Sequence, residues 1–256
     1  ARNDLSRDFV AAYQCTSGDD GVSALLPFYS CYRAYVRGKV EGFKLEDSLV
    51  PEEERDAARL LARTYFHLAE RYATGRGLLL LTSGVTGSGK STVAVALGRL
   101  LAACVISSDV VRKELAGLSP EEHRYVPYGS GIYSREWTRR TYEELLQRAQ
   151  PVIASGGCAI LDASFLRSDE RRLAQDLARR CGSRAVVVEC ATPRDVILGR
   201  LEERSLRGSI SDGRPEILAR QAPDIEPITE FAPQDHLKAD TSDAIEHILE
   251  DIWRRL

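Results

Sequence analysis

A glycine-rich segment between a hydrophobic run and a helix-forming run is the strongest chemical signal in this sequence. Residues 84–91 read GVTGSGKS and match the pattern G-x-x-x-x-G-K-[ST] in full. Glycines let such a backbone curl until several N–H groups point at one anion, and the following helix adds the positive end of its dipole. The sequence therefore predicts a phosphate loop that binds a nucleoside triphosphate through Gly84, Thr86, Gly87, Ser88, Gly89, Lys90, Ser91 and Thr92.

Two residues of the phosphate loop have distinct expected roles. The Lys90 amine can reach the β- and γ-phosphates, and the Ser91 hydroxyl can bind Mg²⁺. A glycine-rich turn without a ligand is the alternative, but the strand before the segment and the helix after it favour phosphate binding. We therefore expect ATP and Mg²⁺ as cofactors, with Lys90 also taking part in catalysis.

A carboxylate and a guanidinium lie where the second predicted strand passes into a helix. Asp109 stands at this junction in VISSDVVRKEL, and Arg112 follows one helical turn later on the same side. Asp109 could accept a proton from an attacking hydroxyl while Arg112 holds an acceptor or phosphate oxygen. Asp109 could instead only cap the helix, a role that aspartate fills well. We predict that both residues are catalytic, and capping by Asp109 is compatible with that role.

An aspartate also ends the third predicted strand. Asp162 follows a buried run in AILDASFL, which is the position of an acidic residue that holds Mg²⁺ directly or through water. We therefore predict Ser91 and Asp162 as the metal-binding residues. No glutamate follows Asp162, so the water-activating acid of a motor ATPase is missing, which argues against a hydrolytic machine.

Three arginines recur at spacings of four and three near residue 200. Arg200, Arg204 and Arg207 share one helical face, which leads into the loop GSISDGRP at 208–215. Such a stripe could close over the triphosphate and neutralise charge in the transition state. A solvated face paired with neighbouring glutamates is the alternative. We predict that Arg200 and Arg204 bind the nucleotide and assist catalysis.

The elements that position these residues alternate between strands and helices from residue 77 onward. The strand runs lack polar alternation, as expected for a parallel sheet covered by helices on both faces. Such a sheet binds ligands outside the carboxyl ends of its strands, where the polar residues named above fall. The predicted strands are 78–83, 103–108, 158–163, 185–190 and 236–240, and the predicted helices lie near 90–102, 110–117, 134–155, 169–181, 193–207 and 242–254.

The first 75 residues show only helical patterns. Helices are predicted over 25–43 and 52–73, the second beginning with three glutamates after Pro51. Tyr29, Tyr32, Tyr35 and Val36 form an apolar and aromatic stripe on the first of these helices. This stripe could line a ligand groove, but packing into a core is the stronger expectation.

Composition narrows the possible classes of protein. The 256 residues carry a net charge of −3, which gives no overall attraction to nucleic acid or anionic membrane. The six cysteines are scattered without a CxxC pair, which favours free thiols in a reducing, cytoplasmic compartment. No apolar run reaches the length of a membrane span, so we expect no membrane contact. The sequence has no methionine, even at position 1, so we expect it to be part of a longer chain.

Residues 77–256 resemble the small P-loop kinases, a group that includes gluconate and shikimate kinases, polynucleotide 5′-kinases, chloramphenicol phosphotransferase and zeta toxins. Residues 84–91, the Asp109-x-x-Arg112 pair, the LDASF strand end and residues 200–207 carry this resemblance. It implies an α/β three-layer sandwich whose five-stranded parallel sheet has the order 2-3-1-4-5. The Asp-x-x-Arg pair is most similar to polynucleotide kinases, in which the aspartate activates the hydroxyl and the arginine helps bind the acceptor.

Residues 1–73 resemble the last helices of an aminoglycoside-phosphotransferase-like domain, mainly through LLPFYSCYRAYVRGKVEGFKL. The H-x-D and metal-binding motifs of that family are missing, so this region is not expected to transfer phosphate by itself. The resemblance implies a longer two-domain chain, with a helical segment at 1–75 and an ATP-binding kinase domain at 76–256.

The sequence predicts an ATP- and Mg²⁺-dependent transfer of phosphate to a hydroxyl group. A small molecule is slightly favoured as the acceptor, and a nucleic-acid 5′ end is the alternative. Segment 119–142 is expected to form the acceptor side, because its aromatic residues and arginines could clamp a base or simply pack a helix. A regulatory module that binds ATP without an acceptor of its own is a third hypothesis.

Overall fold

The computed structural model describes residues 3–19, 21–119, 129–207 and 215–256. Contacts between Cα atoms divide the chain into two compact units. The first ends at Arg76 and also includes Arg99–Ala103, and the second comprises Gly77–Gly98 and Cys104–Leu256. None of the helices in the described ranges is long and apolar enough to cross a membrane.

The first unit contains the helices α1 (Asn3–Ser17), α2 (Val22–Phe43) and α3 (Glu52–Thr74). Helix α3 starts with Glu52–Glu54 at the positive end of its dipole and ends at Gly75, whose φ of 64° terminates the helix. Of these helices, α1 was not predicted from the sequence.

The aromatic stripe of α2 is exposed, so the expectation that it packs into a core is wrong. Tyr29, Tyr32 and Tyr35 are 56%, 56% and 49% exposed. Helices α2 and α3 instead approach through small residues, since a Cβ on Gly38 would lie 3.0 Å from the ring of Phe66. The buried apolar side chains of the two helices are Ala34, Ala58, Ala62 and Ala69, and Gly38 and Glu41 of α2 are buried as well. The tyrosines lie outside this buried seam, although the Tyr35 ring packs edge-on against Phe66 with the centroids 5.6 Å apart.

The second unit is built on a parallel sheet of five strands in the order β2-β3-β1-β4-β5, which confirms the predicted fold class. Strand β1 occupies the centre, and its side chains are buried along its whole length. Full burial explains the unbroken apolar runs of β1 and β3, whereas the edge strands β2 and β5 are partly exposed. The strands are β1 (Leu78–Ser83), β2 (Cys104–Ser107), β3 (Cys158–Asp162), β4 (Arg184–Ala191) and β5 (His236–Asp240).

Helices connect and cover these strands, with bounds within about three residues of those predicted. Helix α9 was not predicted, and three short 3₁₀ turns complete the unit at Gly131–Tyr133, Ala222–Asp224 and Pro233–Asp235. The helices are α4 (Lys90–Leu100), α5 (Ser108–Leu115), α6 (Arg135–Ala154), α7 (Ser168–Arg180), α8 (Arg194–Arg207), α9 (Pro215–Gln221) and α10 (Ile245–Arg255).

A buried arginine joins two segments at the carboxyl end of the sheet. Arg171 of α7 is fully buried and forms an ion pair with Glu230. Its Nη1 donates to the carbonyl oxygens of Phe165 and Leu166 at 2.9 Å, and its Nη2 donates to that of Pro227 at 3.0 Å. The loop after β3 is thereby fixed to the segment that precedes β5.

Replacing Arg171 with methionine should lower the free energy of unfolding by about 3–5 kcal/mol, because Glu230 and several carbonyl oxygens would stay buried without a partner. Urea unfolding measures the change. The matched control is Arg172→Met at the exposed neighbouring position, which should stay within about 0.5 kcal/mol of the parent. Equal stability of the two variants would contradict a structural role for Arg171.

Candidate active site

The phosphate loop follows β1 and takes a curled path that only glycine permits at three positions. Gly84, Gly87 and Gly89 have φ angles of 146°, 79° and 81°. A Cβ on Gly84 would lie 2.6 Å from the Ser88 hydroxyl, and one on Gly89 would lie 2.9 Å from the Thr241 hydroxyl. The glycines of the motif are therefore required by backbone conformation and by space.

Side chains from distant parts of the chain hold this loop from outside. The Thr241 hydroxyl, just after β5, donates to the carbonyl oxygen of Ser88 at 2.9 Å. Nη1 of Arg200 in α8 donates to the same hydroxyl at 3.0 Å. The structure thus places Arg200 beside the loop, where its charge faces Gly89. The side chains of Arg204 and Arg207 and the following residues 208–214 lie outside the described part of the chain.

The residues of the loop fit a triphosphate. The Ser88 hydroxyl is buried without a hydrogen-bond partner in the described structure, so a polar group of the loop remains unsatisfied. The Lys90 ammonium donates to the carbonyl oxygen of Val85 at 2.7 Å, which keeps this charge over the loop. Ser91 and Thr92 are exposed at the start of α4. Together these groups form a cradle for anionic oxygens at a helix N-terminus.

The charges of Lys90 and Asp162 both affect the thiol of Cys190. Asp162 is the last residue of β3, is 7% exposed and pairs with Ser107 in the sheet. Burial raises the pKa of the Cys190 thiol to about 12, the charge of Lys90 opposes this rise, and the charge of Asp162 adds to it. Metal binding by Ser91 and Asp162 stays a prediction from the sequence. The described ranges contain no cluster of three or more histidine, cysteine or acidic residues that could hold a metal.

Asp109 and Arg112 lie on α5, directly after β2. Ser107 occupies the N-cap position of this helix, so Asp109 lies in the first turn and does not cap it. Arg112 is 6% exposed, and its Nη1 donates to the carbonyl oxygen of Ile132 at 2.7 Å. Its guanidinium carbon also lies 4.9 Å from the centroid of the Tyr133 ring. The 3₁₀ turn before α6 therefore fixes Arg112 in place.

A cavity of about 540 Å³ brings the phosphate loop and the Asp109–Arg112 pair together. Its wall includes Thr86 of the loop, both residues of the pair, one face of α6 and the start of α7. The loop after β3 and helix α9 close the other sides. The lining residues are Thr86, Ser108, Asp109, Arg112, Gly129, Tyr133, Arg135, Thr138, Arg139, Tyr142, Ser164, Leu166, Arg167, Asp169, Glu170, Leu173, Ile217, Gln221 and Asp224.

Gln221 is a site residue that sequence reasoning missed. Its side-chain oxygen accepts the backbone N–H of Thr86 at 2.8 Å, across 135 residues of sequence. Gln221 is 8% exposed and ends α9, a seven-residue helix without a marked apolar period. No local sequence pattern is typical of a glutamine that binds a phosphate loop, so Gln221 could not be predicted from the sequence.

The wall opposite α5 is built by the loop after β3. The Tyr142 hydroxyl lies 3.3 Å from that of Ser164 and accepts the N–H of Phe165 at 3.1 Å. This bond supports Phe165, whose φ of 40° is unusual for a non-glycine residue. Burial raises the pKa of Tyr142, so its hydroxyl stays protonated. Tyr142 therefore shapes the wall as a neutral donor.

Two acidic residues of α7 border this wall. Asp169 forms an ion pair with Arg167 at 3.1 Å, which lowers the pKa of its carboxyl group. Burial, and next the charge of Asp169, raises the pKa of Glu170 to about 7. A carboxyl group that titrates near neutral pH in a cavity is a common feature of functional sites.

Part of the predicted acceptor segment can be placed. His123, Arg124, Tyr125 and Tyr128 fall in 120–128, outside the described residues. Tyr133 and Arg139 line the cavity. The Arg140 guanidinium stacks on the Trp137 ring, with the guanidinium carbon 4.8 Å from the ring centroid. Neither of these residues lines the cavity.

Comparison with known sequences identifies relatives. The profile of the AAA domain family AAA_33 matches residues 79–228, more than half of the chain. The uncharacterized protein Rv2004c of Mycobacterium tuberculosis strain H37Rv is 37% identical over 221 residues, covering 86% of this chain and 43% of the relative. The uncharacterized protein Mb2027c of Mycobacterium bovis matches to the same extent. The chain thus spans less than half the length of these curated relatives.

Solved structures share the fold of the second unit. A proposed kinase from Chloroflexus aurantiacus has a TM-score of 0.54 at 22% identity, covering 70% of this chain and 98% of that one. Kti12 of Chaetomium thermophilum in complex with ADP-AlF3 has a TM-score of 0.51 at 16% identity, covering 69% and 98%. A sugar kinase from Janibacter sp. HTCC2649 has a TM-score of 0.50 at 20% identity, covering 68% and 90%. The expected fold of the small P-loop kinases is confirmed, whereas the resemblance of residues 1–73 to a second family stays a prediction.

Replacing Glu170 with glutamine should stabilise the protein at alkaline pH. Burial raises the pKa of Glu170 to about 7 in the folded state. The stability that the protonated Glu170 carboxyl group contributes is therefore fully present below about pH 4.5 and is lost as the pH rises through 7. The variant should match the parent near pH 4.5 and exceed its free energy of unfolding by roughly 1–2 kcal/mol at pH 8.

Urea unfolding at both pH values measures this difference. The matched control is Glu46→Gln, an exposed glutamate outside the helices, which should give the same small difference at both pH values. A pH-independent effect of Glu170→Gln would contradict the raised pKa.

Proposed function

The chain belongs to the AAA_33 family of AAA domains, and from this premise we propose that it is an ATP- and Mg²⁺-dependent phosphotransferase acting on the hydroxyl group of a small molecule. The observation that carries the proposal is the cavity that joins Thr86 of the phosphate loop to Asp109 and Arg112. Phosphoryl transfer is achieved largely by positioning and electrostatics, and this cavity places a carboxylate and a guanidinium next to a phosphate cradle.

The phosphate loop and its surroundings would bind the nucleotide. The N–H groups of Gly84, Thr86 and Ser88 bond protein acceptors, so the other backbone N–H groups of residues 84–92 would hold the phosphate oxygens. The ammonium of Lys90 would exchange its bond to Val85 for one to a phosphate. Ser91 and Asp162 would hold Mg²⁺, which neutralises the charge of the phosphates. Arg200 is bound to Thr241 beside Gly89 and would add positive charge there. Nucleotide binding by Arg204 stays a sequence-based prediction.

The acceptor would occupy the cavity with its hydroxyl group towards Asp109. The Asp109 carboxylate would accept the hydroxyl proton while the hydroxyl oxygen forms a bond to the γ-phosphorus of ATP and ADP leaves. Arg112, fixed by Ile132 and Tyr133, would hold the acceptor in line with the phosphate loop. The step yields a phosphate monoester of the acceptor, ADP and a protonated carboxyl group that returns its proton to solvent.

The cavity favours a small acceptor over a polynucleotide end. Its volume of about 540 Å³ falls in the usual range of about 300–1,000 Å³ for small-molecule pockets. The Tyr142 ring packs edge-on against Phe165 at 4.8 Å, and the Tyr133 ring lies under Arg112. These two rings are engaged with protein groups, which argues against their use as stacking platforms for bases.

A transfer screen tests the proposal. The protein is incubated with Mg²⁺, γ-labelled ATP and either hydroxylated metabolites or 5′-hydroxyl oligonucleotides, and labelled products are resolved by mass. Label in a metabolite supports the proposal, and label confined to oligonucleotides replaces it with a 5′-end kinase. If ATP binds without transfer to either pool, the hypothesis of a regulatory module replaces the enzyme.

Replacing Lys90 with alanine should lower the rate of transfer at least about 100-fold, because a charge that stabilises the transferring phosphoryl group is lost. The fold should be intact, since Lys90 is partly exposed at a helix start. Lys238→Ala is the control, as Lys238 lies on β5 with its side chain 70% exposed. Full activity of the Lys90 variant would rule out the proposed phosphate site.

Replacing Asp109 with asparagine should preserve ATP affinity and lower turnover by roughly 10²–10⁴, the usual contribution of a general base. Nucleotide titration and steady-state kinetics separate the two effects. Asp243→Asn, at an exposed position after β5, should change neither quantity. If Asp109→Asn turns over at the parental rate, the base must be another group.

A further inference from the structure

We propose that the acceptor cavity contains an anion subsite formed by Arg112, Arg135, Arg139 and the first turn of α6, so that the acceptor carries a phosphate, sulfate or carboxylate group besides its reactive hydroxyl. The inference rests on the proposed function and narrows its substrate class. It commits to a small anionic molecule rather than a nucleic-acid strand.

Three arginines, Arg112, Arg135 and Arg139, line the cavity near the start of α6. Arg135, Thr138 and Arg139 are spaced by three and four residues along α6 and all line the cavity, so they share one helical face. Arg112 reaches this face from α5, with its Nη1 3.4 Å from the Thr138 hydroxyl. Thr138 is therefore flanked by two arginines of its own helix and touched by a third.

These three arginines lack strong carboxylate partners among the described residues. Arg139, whose side chain is 71% exposed, lies 3.7 Å from Glu143, and Arg135 forms no ion pair with any residue of the described ranges. Arg112 is only 6% exposed, and its Nε has no hydrogen-bond partner among the described residues. A buried guanidinium with an unused donor, beside two further cations, is costly unless an anion completes the group.

The N-terminus of α6 adds to the positive electrostatic potential of these arginines. Ser134 caps this helix of 20 residues by accepting the N–H of Trp137 at 3.4 Å, and its carbonyl oxygen accepts the N–H of Thr138 at 2.8 Å. The N–H groups of Arg135 and Glu136 have no acceptor within the described residues. A helix N-terminus with free N–H groups favours an anion, and the buried Arg112 points to the same ligand independently.

A fourth arginine of the cavity, Arg167, is paired with carboxylates of the protein, so the proposed subsite is limited to the end of the cavity at α6. Arg167 bonds both carboxylate oxygens of Asp169, at 3.1 and 3.2 Å, and lies 3.9 Å from Asp224. The α7 side of the cavity is thus balanced or acidic, and Asp109 lies beside the phosphate loop. An acceptor would place its anionic group at the start of α6 and its hydroxyl at Asp109.

The test uses the full chain with Arg135→Gln, Arg139→Gln and the double variant. Arg172→Gln on α7 is the matched control, because Arg172 is exposed and does not line the cavity. Label transfer is measured into an anionic pool of sugar phosphates and hydroxycarboxylic acids and into a neutral pool of sugars, polyols and nucleosides. A 5′-hydroxyl oligonucleotide is the third acceptor.

We expect label in the anionic pool at a level at least about tenfold above the neutral pool. Each single variant should raise the KM for the labelled acceptor about tenfold, with kcat and the KM for ATP within about twofold. The control should match the parent. A merely structural role of these arginines would not produce this separation of the two KM values.

A second readout does not depend on transfer. Inorganic phosphate is titrated calorimetrically into protein saturated with Mg²⁺ and a non-hydrolysable ATP analogue, which keeps the probe out of the phosphate loop. Binding that weakens at least about fivefold in the double variant, but not in the control, supports the subsite even if no acceptor takes label. In that case the subsite stands and the proposed function falls.

Results that contradict the subsite can be distinguished from results that contradict the proposed function. Label in neutral acceptors with unchanged KM in the double variant overturns the subsite and leaves the proposed function intact. Label in the oligonucleotide alone overturns the small-molecule acceptor. Phosphate binding that is equal in the parent and the double variant overturns the subsite directly.

Discussion

The curled path of the phosphate loop depends on hydrogen bonds to segments on both sides of β1 in the sheet. The N–H of Gly84 donates to the carbonyl oxygen of Ser164 at 3.0 Å, on the β3 side. Thr241, after β5, bonds the carbonyl oxygen of Ser88 on the other side. A loop of glycines loses much conformational entropy when it is fixed, so bonds from outside are needed to keep it in one conformation. The strand order 2-3-1-4-5 places these donors and acceptors around the central strand.

The same order divides the site into two halves. Residues on the β4 and β5 side, such as Arg200 and Thr241, contact the phosphate loop. Residues on the β2 and β3 side, such as Asp109 and Arg112, line the cavity instead. Gln221 links the halves, since it lines the cavity and binds the N–H of Thr86. A change in the cavity wall can therefore alter the acceptor without altering the phosphate loop.

The parts of the site that could be predicted from the sequence are local, and the parts that could not are long-range. The phosphate loop was recognised because its groups lie within eight consecutive residues, Asp162 because it ends a buried strand, and Asp109 because it lies where an apolar run passes into a helix. Gln221 and Arg171 bind across 135 and 59 residues, and neither lies in a pattern that reports such contacts. The α2 stripe was misjudged because side-chain size at Gly38, rather than apolar character, decides which face packs.

The position of the acidic residues bears on why the site would transfer phosphate to an alcohol rather than to water. Asp162, the last residue of β3, is buried at the end of a strand that pairs with β1, the strand that the phosphate loop follows. Asp109 lies one strand further along the sheet, two residues beyond the Ser107 that pairs with Asp162. Because β3 lies between β1 and β2, two strand spacings of about 4.8 Å each separate the ends of these strands, which leaves room for the proposed acceptor between Asp109 and the phosphate loop. A filled cavity would then exclude water from the reacting phosphorus, since Thr86 and Asp109 lie in the same wall.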